Sequence, residues 1–223
     1  MAIPLLNAIN IENMTITADA LNTQRKLAVY LVEERKAHYH FTVKGNQPNL
    51  LADLDLFFKN RGAPDFVEIT PPDHGRIETR RIWTTTELND CIEFPHVGQA
   101  FVIERETIIK KTGKITYDQA YGITSRHQND ANPRRILGTN RGHWSVENGC
   151  HYVLDWSFDE DRSRISTGHG PANVSRLRRF AIGVIKTKGV SNVAQKMRQL
   201  AMNVRLVFDY LGMTKNAHAA KAA

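Results

Sequence analysis

Between Phe66 and Arg126 the sequence contains three long segments in which polar and apolar residues alternate: RIETRRIWTT, QAFVIERETIIKK and ITYDQAYGITS. Alternation with period two marks strands whose two faces meet different surroundings. The separators include PPDHG and KKTGK, rich in the Pro, Gly and Asp that make tight reversals. This stretch therefore predicts an antiparallel β block. Arg80, Arg81, Arg105, Lys110 and Lys111 alternate with the apolar residues there. Two readings of these cations stand: the solvated face of a sheet, or a nucleic-acid contact surface.

The flanking regions have a different texture. Ile3–Ile9 is a short apolar helix candidate and Met14–Thr17 a short strand. Gln24–Lys36 has helical apolar spacing, HYHFTV (His38–Val43) alternates as a strand, and Pro48 suits the first turn of a helix over Asn49–Lys59. The order strand, helix, strand, helix predicts a parallel α/β layer. Beyond Asn129 the sequence is helical, with candidates at Asn129–Asn140, His143–Phe158, Pro171–Lys188 and Val190–Leu211, the last broken near Asn203. The expected divisions are 1–65 (α/β), 66–128 (β-rich), 129–214 (helical) and a disordered tail, 215–223.

Charge is divided unevenly. Residues 162–223 hold 12 Lys/Arg and one acid, Asp209, a net +11, whereas residues 1–161 hold 18 bases and 22 acids, a net −4. A basic segment of this size suits a polyanion such as nucleic acid, through phosphate neutralisation; a solvated helical surface is the alternative. No apolar run is long enough to span a bilayer, so no membrane partner is expected. No base precedes Arg25, which argues against a signal peptide. Cys91 and Cys150 form no CxxC pair, so a reducing cytoplasm is the expected compartment.

Three groups of residues could carry chemistry. Asp19 follows the first strand, where ligands of α/β sheets gather; a helix-capping or turn role is the competing reading. His143, Glu147, His151 and Asp155 recur every four residues and form one stripe on a helix. That stripe reads as a zinc site, as a lone carboxylate joined by Asp19 to hold magnesium, or as the polar side of a half-buried helix. Asp159, Glu160 and Asp161 abut Arg162 and Arg164, and Arg176, Arg178 and Arg179 follow. Arginine forks bind phosphates; the adjacent acids could equally pair with them intramolecularly.

Five segments taken in order carry a resemblance: TADALNTQ, HYHFTVKGNQP, YGITSR, HWSVENGCHYVLDWSFDEDRSRI and GPANVSRLRRFAI. Together they resemble the DDE transposases of bacterial insertion sequences, in particular the ISAs-type branch. The resemblance implies an RNase H-like fold, here incomplete, with a β-rich insertion and a helical C-terminal region. It implies Mg2+ or Mn2+ held by Asp, Asp and Glu carboxylates, and cleavage and strand transfer at DNA phosphates. By resemblance Asp19 is the second aspartate and Glu147 the helix-borne glutamate. Lys44, Asn46, Gln47, Arg141, His143, Arg162 and Arg164 become DNA-binding or supporting positions. Related transposases carry Arg four residues before the glutamate and Lys seven after; here those positions are His143 and Leu154. Glu12 is the only acid ahead of Asp19. The expectation is therefore a truncated transposase, inactive alone, that works on insertion-sequence ends as a homo-oligomer or with the full-length enzyme. The alternative is a non-catalytic DNA-binding or inhibitory fragment.

Overall fold

The computed structural model describes residues 2–73, 75–144, 152–190 and 192–214. Two compact units divide the chain, Met1–His143 and Trp144–Ala223.

The first unit is built on one six-stranded sheet: β1 (Thr15–Ala18), β2 (His38–Val43), β3 (Phe66–Asp73), β4 (Arg76–Thr85), β5 (Gln99–Ile109) and β6 (Ile115–Thr124). The spatial order is β1-β2-β6-β5-β4-β3. β1 and β2 are parallel, as the strand-helix-strand order predicts, and the other neighbours are antiparallel. The antiparallel block is not a separate sheet, because β6 pairs with β2 through His40↔Thr124 to Val43↔Tyr121.

In register, opposed residues share a face. One face carries Tyr39, Phe41, Val43, Ala100, Val102 and Ile123, all buried. Three helices contribute to its core: α1 (Ala2–Asn7), α2 (Arg25–Val29) and α3 (Pro48–Phe58). From α1 comes Leu6, from α2 Leu27 and Ala28, from α3 Leu50, Leu54 and Phe58. α2 continues through Tyr30–Glu34 as a wide turn, in which Arg35 N–H reaches back five residues to the Tyr30 carbonyl. The opposite face is covered by α4 (Pro133–His143), whose Ile136 and Leu137 pack with Ile82, Phe101 and Ile103. α4 starts later than the sequence pattern suggests. Pro133 takes its first turn and the Asn132 carboxamide accepts from Arg135 N–H.

Gly122 on β6 lies beneath the Phe101 ring. A Cβ there would collide with that ring and stand 2.8 Å from the Phe41 carbonyl oxygen. The rest of YGITSR is equally structural. Thr124 Oγ1 donates to the Tyr39 carbonyl, Ser125 Oγ accepts from Tyr39 N–H, and Arg126 Nε donates to Thr15 Oγ1 at 2.7 Å.

The sheet arginines are largely paired. Arg81 reaches Glu104 and Glu106, Arg105 reaches Asp118, and Arg80 reaches Glu78. These pairs favour the solvated-face reading for Arg80, Arg81 and Arg105.

The second unit comprises a wide helical turn (Val153–Ser157), α5 (Gly170–Thr187), α6 (Val193–Ala201) and α7 (Val204–Tyr210). Its core is Leu154, Ile182, Ile185 and Val193. The break near Asn203 is present: the Asn203 carboxamide accepts from Arg205 N–H and starts α7. The tail 215–223 lies outside the described residues.

Candidate functional site

β1 ends at Ala18, and Asp19 follows with extended backbone (φ −64, ψ 158). Its Oδ1 accepts from Ala20 N–H at 2.7 Å and caps the short turn Ala20–Asn22. The capping role is therefore real, and the exposed carboxylate keeps its second oxygen for another partner. Asp19 stands at the carboxyl end of a parallel strand pair, a position where α/β sheets present ligand-binding groups.

Side chains two residues apart on an extended strand point the same way, so Thr17 and Asp19 share a face. α4 lies on that face. The Nδ1 of its last residue, His143, is 3.1 Å from Thr17 Oγ1. One turn back, Asn140 Oδ1 is 3.4 Å from His40 Nε2, and His40 stacks on Phe101 with ring centroids 4.7 Å apart. Burial holds His40 well below the ordinary histidine range, at about 4; the Asn140 bond opposes that shift and the nearby His143 adds to it. His40 is thus a neutral imidazole under the helix. Sequence reasoning did not single it out, although alternation in HYHFTV places His40 and Thr42 together on a polar face.

The turn after β2 holds three expected site residues. Lys44 is exposed. Asn46 Nδ2 donates to the Ala20 carbonyl at 2.5 Å, and Gln47 Nε2 donates to the Thr23 carbonyl at 2.9 Å. Arg141 pairs with Glu68 on β3 at 2.7 Å. Arg162, highly exposed, lies 3.6 Å from Asp159, so the acid–base adjacency there is in part intramolecular. Arg164 and Asp155 are exposed. Glu147 and His151 lie outside the described residues, as does Cys150. The structure therefore brings together Asp19, Asn46, Gln47 and, through Thr17, His143.

Among the described residues no three His, Cys, Asp or Glu side chains cluster as a metal site. Asp19 fits one position of a hard cation such as Mg2+ or Mn2+, which takes carboxylate oxygen and fills its remaining positions with water or phosphate.

Fold and site thus define a mixed α/β protein with an exposed carboxylate at the end of a parallel strand pair, joined in sequence to a basic helical unit. Among the described residues no helix is long and apolar enough to cross a membrane. No protein-family model matches the chain. It is similar to "Putative transposase YncI" of Escherichia coli O157:H7, 28% identical over 94% of this chain and 56% of that protein. It is also similar to "H repeat-associated putative transposase YhhI" of Escherichia coli K12, 28% identical over 91% of this chain and 56% of that protein. A third relative, "Uncharacterized protein in dhlA 3'region" of Xanthobacter autotrophicus, is 32% identical over 56% of this chain and 43% of its own length. The chain spans about half the length of the curated relatives it matches. Two of these relatives are named putative transposases, and that is the direction in which the similarity points.

Proposed function

We propose that this chain acts in DNA transposition, through divalent-metal-dependent DNA cleavage and strand transfer. Asp19 and Glu147 are the metal carboxylates, and the basic helical unit contacts insertion-sequence ends. The observation that carries this reading is Asp19 itself, an exposed carboxylate at the carboxyl end of β1 with one oxygen uncommitted. Three further facts support it. α4 ends against the strand that leads to Asp19, and Glu147 follows four residues later in the sequence. Two relatives named as putative transposases agree with a role in DNA transposition. A parallel β1–β2 pair with an antiparallel neighbour and helices on both faces suits the RNase H-like fold.

Bound Mg2+ or Mn2+ would activate the attacking oxygen and stabilise the leaving one at a DNA phosphate. The chain's own part is to hold carboxylate oxygens in place at the strand end.

Metal-localised radical cleavage tests the carboxylate pair without requiring activity. Fe2+ with ascorbate and peroxide, in place of Mg2+, should cut the backbone near both Asp19 and Glu147. Excess Mg2+ and Asp19→Ala should suppress both cuts. Cuts at neither position, or cuts indifferent to Asp19→Ala, would refute the assignment.

A second reading is favoured by the net +11 of residues 162–223. In it the chain is a non-catalytic DNA-binding or inhibitory partner of a full-length transposase. Salt-sensitive duplex binding that ignores divalent metal, with no localised cleavage, would select it.

A further inference from the structure

The carboxylate of Asp19 heads a loop, Asp19–Gln24, that leaves β1 and enters α2. Its own turn, Ala20–Asn22, is closed by Asn22 N–H on the Asp19 carbonyl, and β2 with the loop after it fixes the segment further. Thr23, fully buried, donates its hydroxyl to the Thr42 carbonyl at 2.7 Å. Asn46 and Gln47 each donate a side-chain amide to a carbonyl of the Asp19 loop, at Ala20 and Thr23. The Ala20 residue is held at both ends. Its N–H is on Asp19 Oδ1, and its carbonyl receives both the Asn46 amide and Thr23 N–H. Asn46 therefore reaches the carboxylate through a single residue.

We infer that Asn46 and Gln47 are positioning residues for the Asp19 carboxylate, clamping its loop by the carbonyls of Ala20 and Thr23 instead of meeting DNA themselves. This deepens the metal-site reading above and rests on Asp19 being a ligand. Preorganisation is the physical reason. A cation held by few protein oxygens gains affinity when each is fixed beforehand, because less freedom is lost on binding. Amide donors are well matched to this role, since each reaches a backbone carbonyl and neither brings a charge that would compete for the ion. The clamp also gives a physical reason for TADALNTQ and KGNQP to occur in one chain, since the second motif supplies donors to carbonyls of the first.

The test is a titration of the full chain with Mn2+, followed by paramagnetic broadening of backbone amide signals. Signals of Ala20–Thr23 should broaden first, and Asp19→Asn should abolish the effect. Asn46→Ala and Gln47→Ala should each raise the Mn2+ concentration for half-broadening at least threefold while keeping a cooperative melting transition. Asn49→Ala, in the first turn of α3, should titrate as the unmodified chain. If Asp19→Asn binds Mn2+ like the unmodified chain, the metal-site reading fails and the clamp fails with it. If Asp19→Asn loses binding but Asn46→Ala and Gln47→Ala do not weaken it, the positioning role alone is overturned. Should the alanine variants lose their melting transition, the unmodified chain decides. Side-chain amide protons of Asn46 and Gln47 that exchange slowly with water support the clamp; exchange at the rate of a free amide overturns it.

Discussion

Acidification should loosen the first unit through one buried imidazole. His40 is 3% exposed, stacked on Phe101 and overlaid by α4. Burial lowers its pKa from 6.5 to about 4. Above pH 6.5 both the folded and the unfolded chain hold His40 neutral, and it contributes nothing to pH dependence. Between 6.5 and 4 the unfolded chain takes a proton that the folded chain refuses, so stability falls as pH falls. At roughly 1.4 kcal/mol per pH unit the full interval amounts to about 3 kcal/mol. For a unit of this size that corresponds to roughly 6–12 °C in melting temperature. His38 adds to the same trend, because burial and the nearby Arg126 lower its pKa as well. Substitution at His40 isolates its share. His40→Phe keeps a ring against Phe101 and cannot titrate, and His40→Gln keeps a polar group facing Asn140. Urea unfolding followed by circular dichroism at pH 7, 6, 5 and 4 should show a much shallower loss for both variants. If both variants lose stability with acid as steeply as the unmodified chain, the buried, neutral His40 is wrong.

Two glycines should respond in opposite directions to the same methyl group. Gly122→Ala must displace the Phe101 ring and should cost about 1–3 kcal/mol. Gly138→Ala, in α4 with open space around its Cβ, should stabilise by about 1 kcal/mol, and thermal melts compare the two. The Arg141–Glu68 pair is partly exposed, so a double-mutant cycle should return a coupling below about 1 kcal/mol. Duplex DNA binding should weaken roughly a hundredfold between 50 and 200 mM salt if about four phosphates are neutralised. Replacing Arg176 and Arg179 together by Ala should lower the log–log salt slope by about 2 if both meet phosphates, as filter binding or anisotropy would show.

Local structure was legible in the sequence wherever one rule governed it. Alternation placed β2, β4, β5 and β6 nearly to the residue, and the Asn203 break between α6 and α7 followed from a capping side chain. Long-range pairing was not legible. Nothing local says that β6 returns to β2, because that choice is made by Ile123 and Phe41 meeting across the sheet. The site was legible as residue types rather than as roles. Asp19 stood out by its place after a strand. The work of Asn46 and Gln47 depends on carbonyls some 24 to 26 positions away, which no spacing rule reveals. His40 was hidden because a histidine in an alternating strand reads as exposed until a helix is laid over it.

The hold of α4 on the sheet changes in kind along its length. Its early turns insert Ile136 and Leu137 among Ile82, Phe101 and Ile103. Its later turns meet the sheet through Asn140 to His40, Arg141 to Glu68 and His143 to Thr17. Apolar contacts have no substitute in water, and truncating a buried Ile or Leu costs about 2–5 kcal/mol. Polar contacts do have substitutes: water, or a phosphate in the case of Arg141, takes them over at a net cost near 1 kcal/mol each. The helix is therefore held by packing at its start and by polar contacts at its end. Removing the polar contacts at the His143 end should therefore cost far less stability than truncating Ile136 or Leu137 at the start.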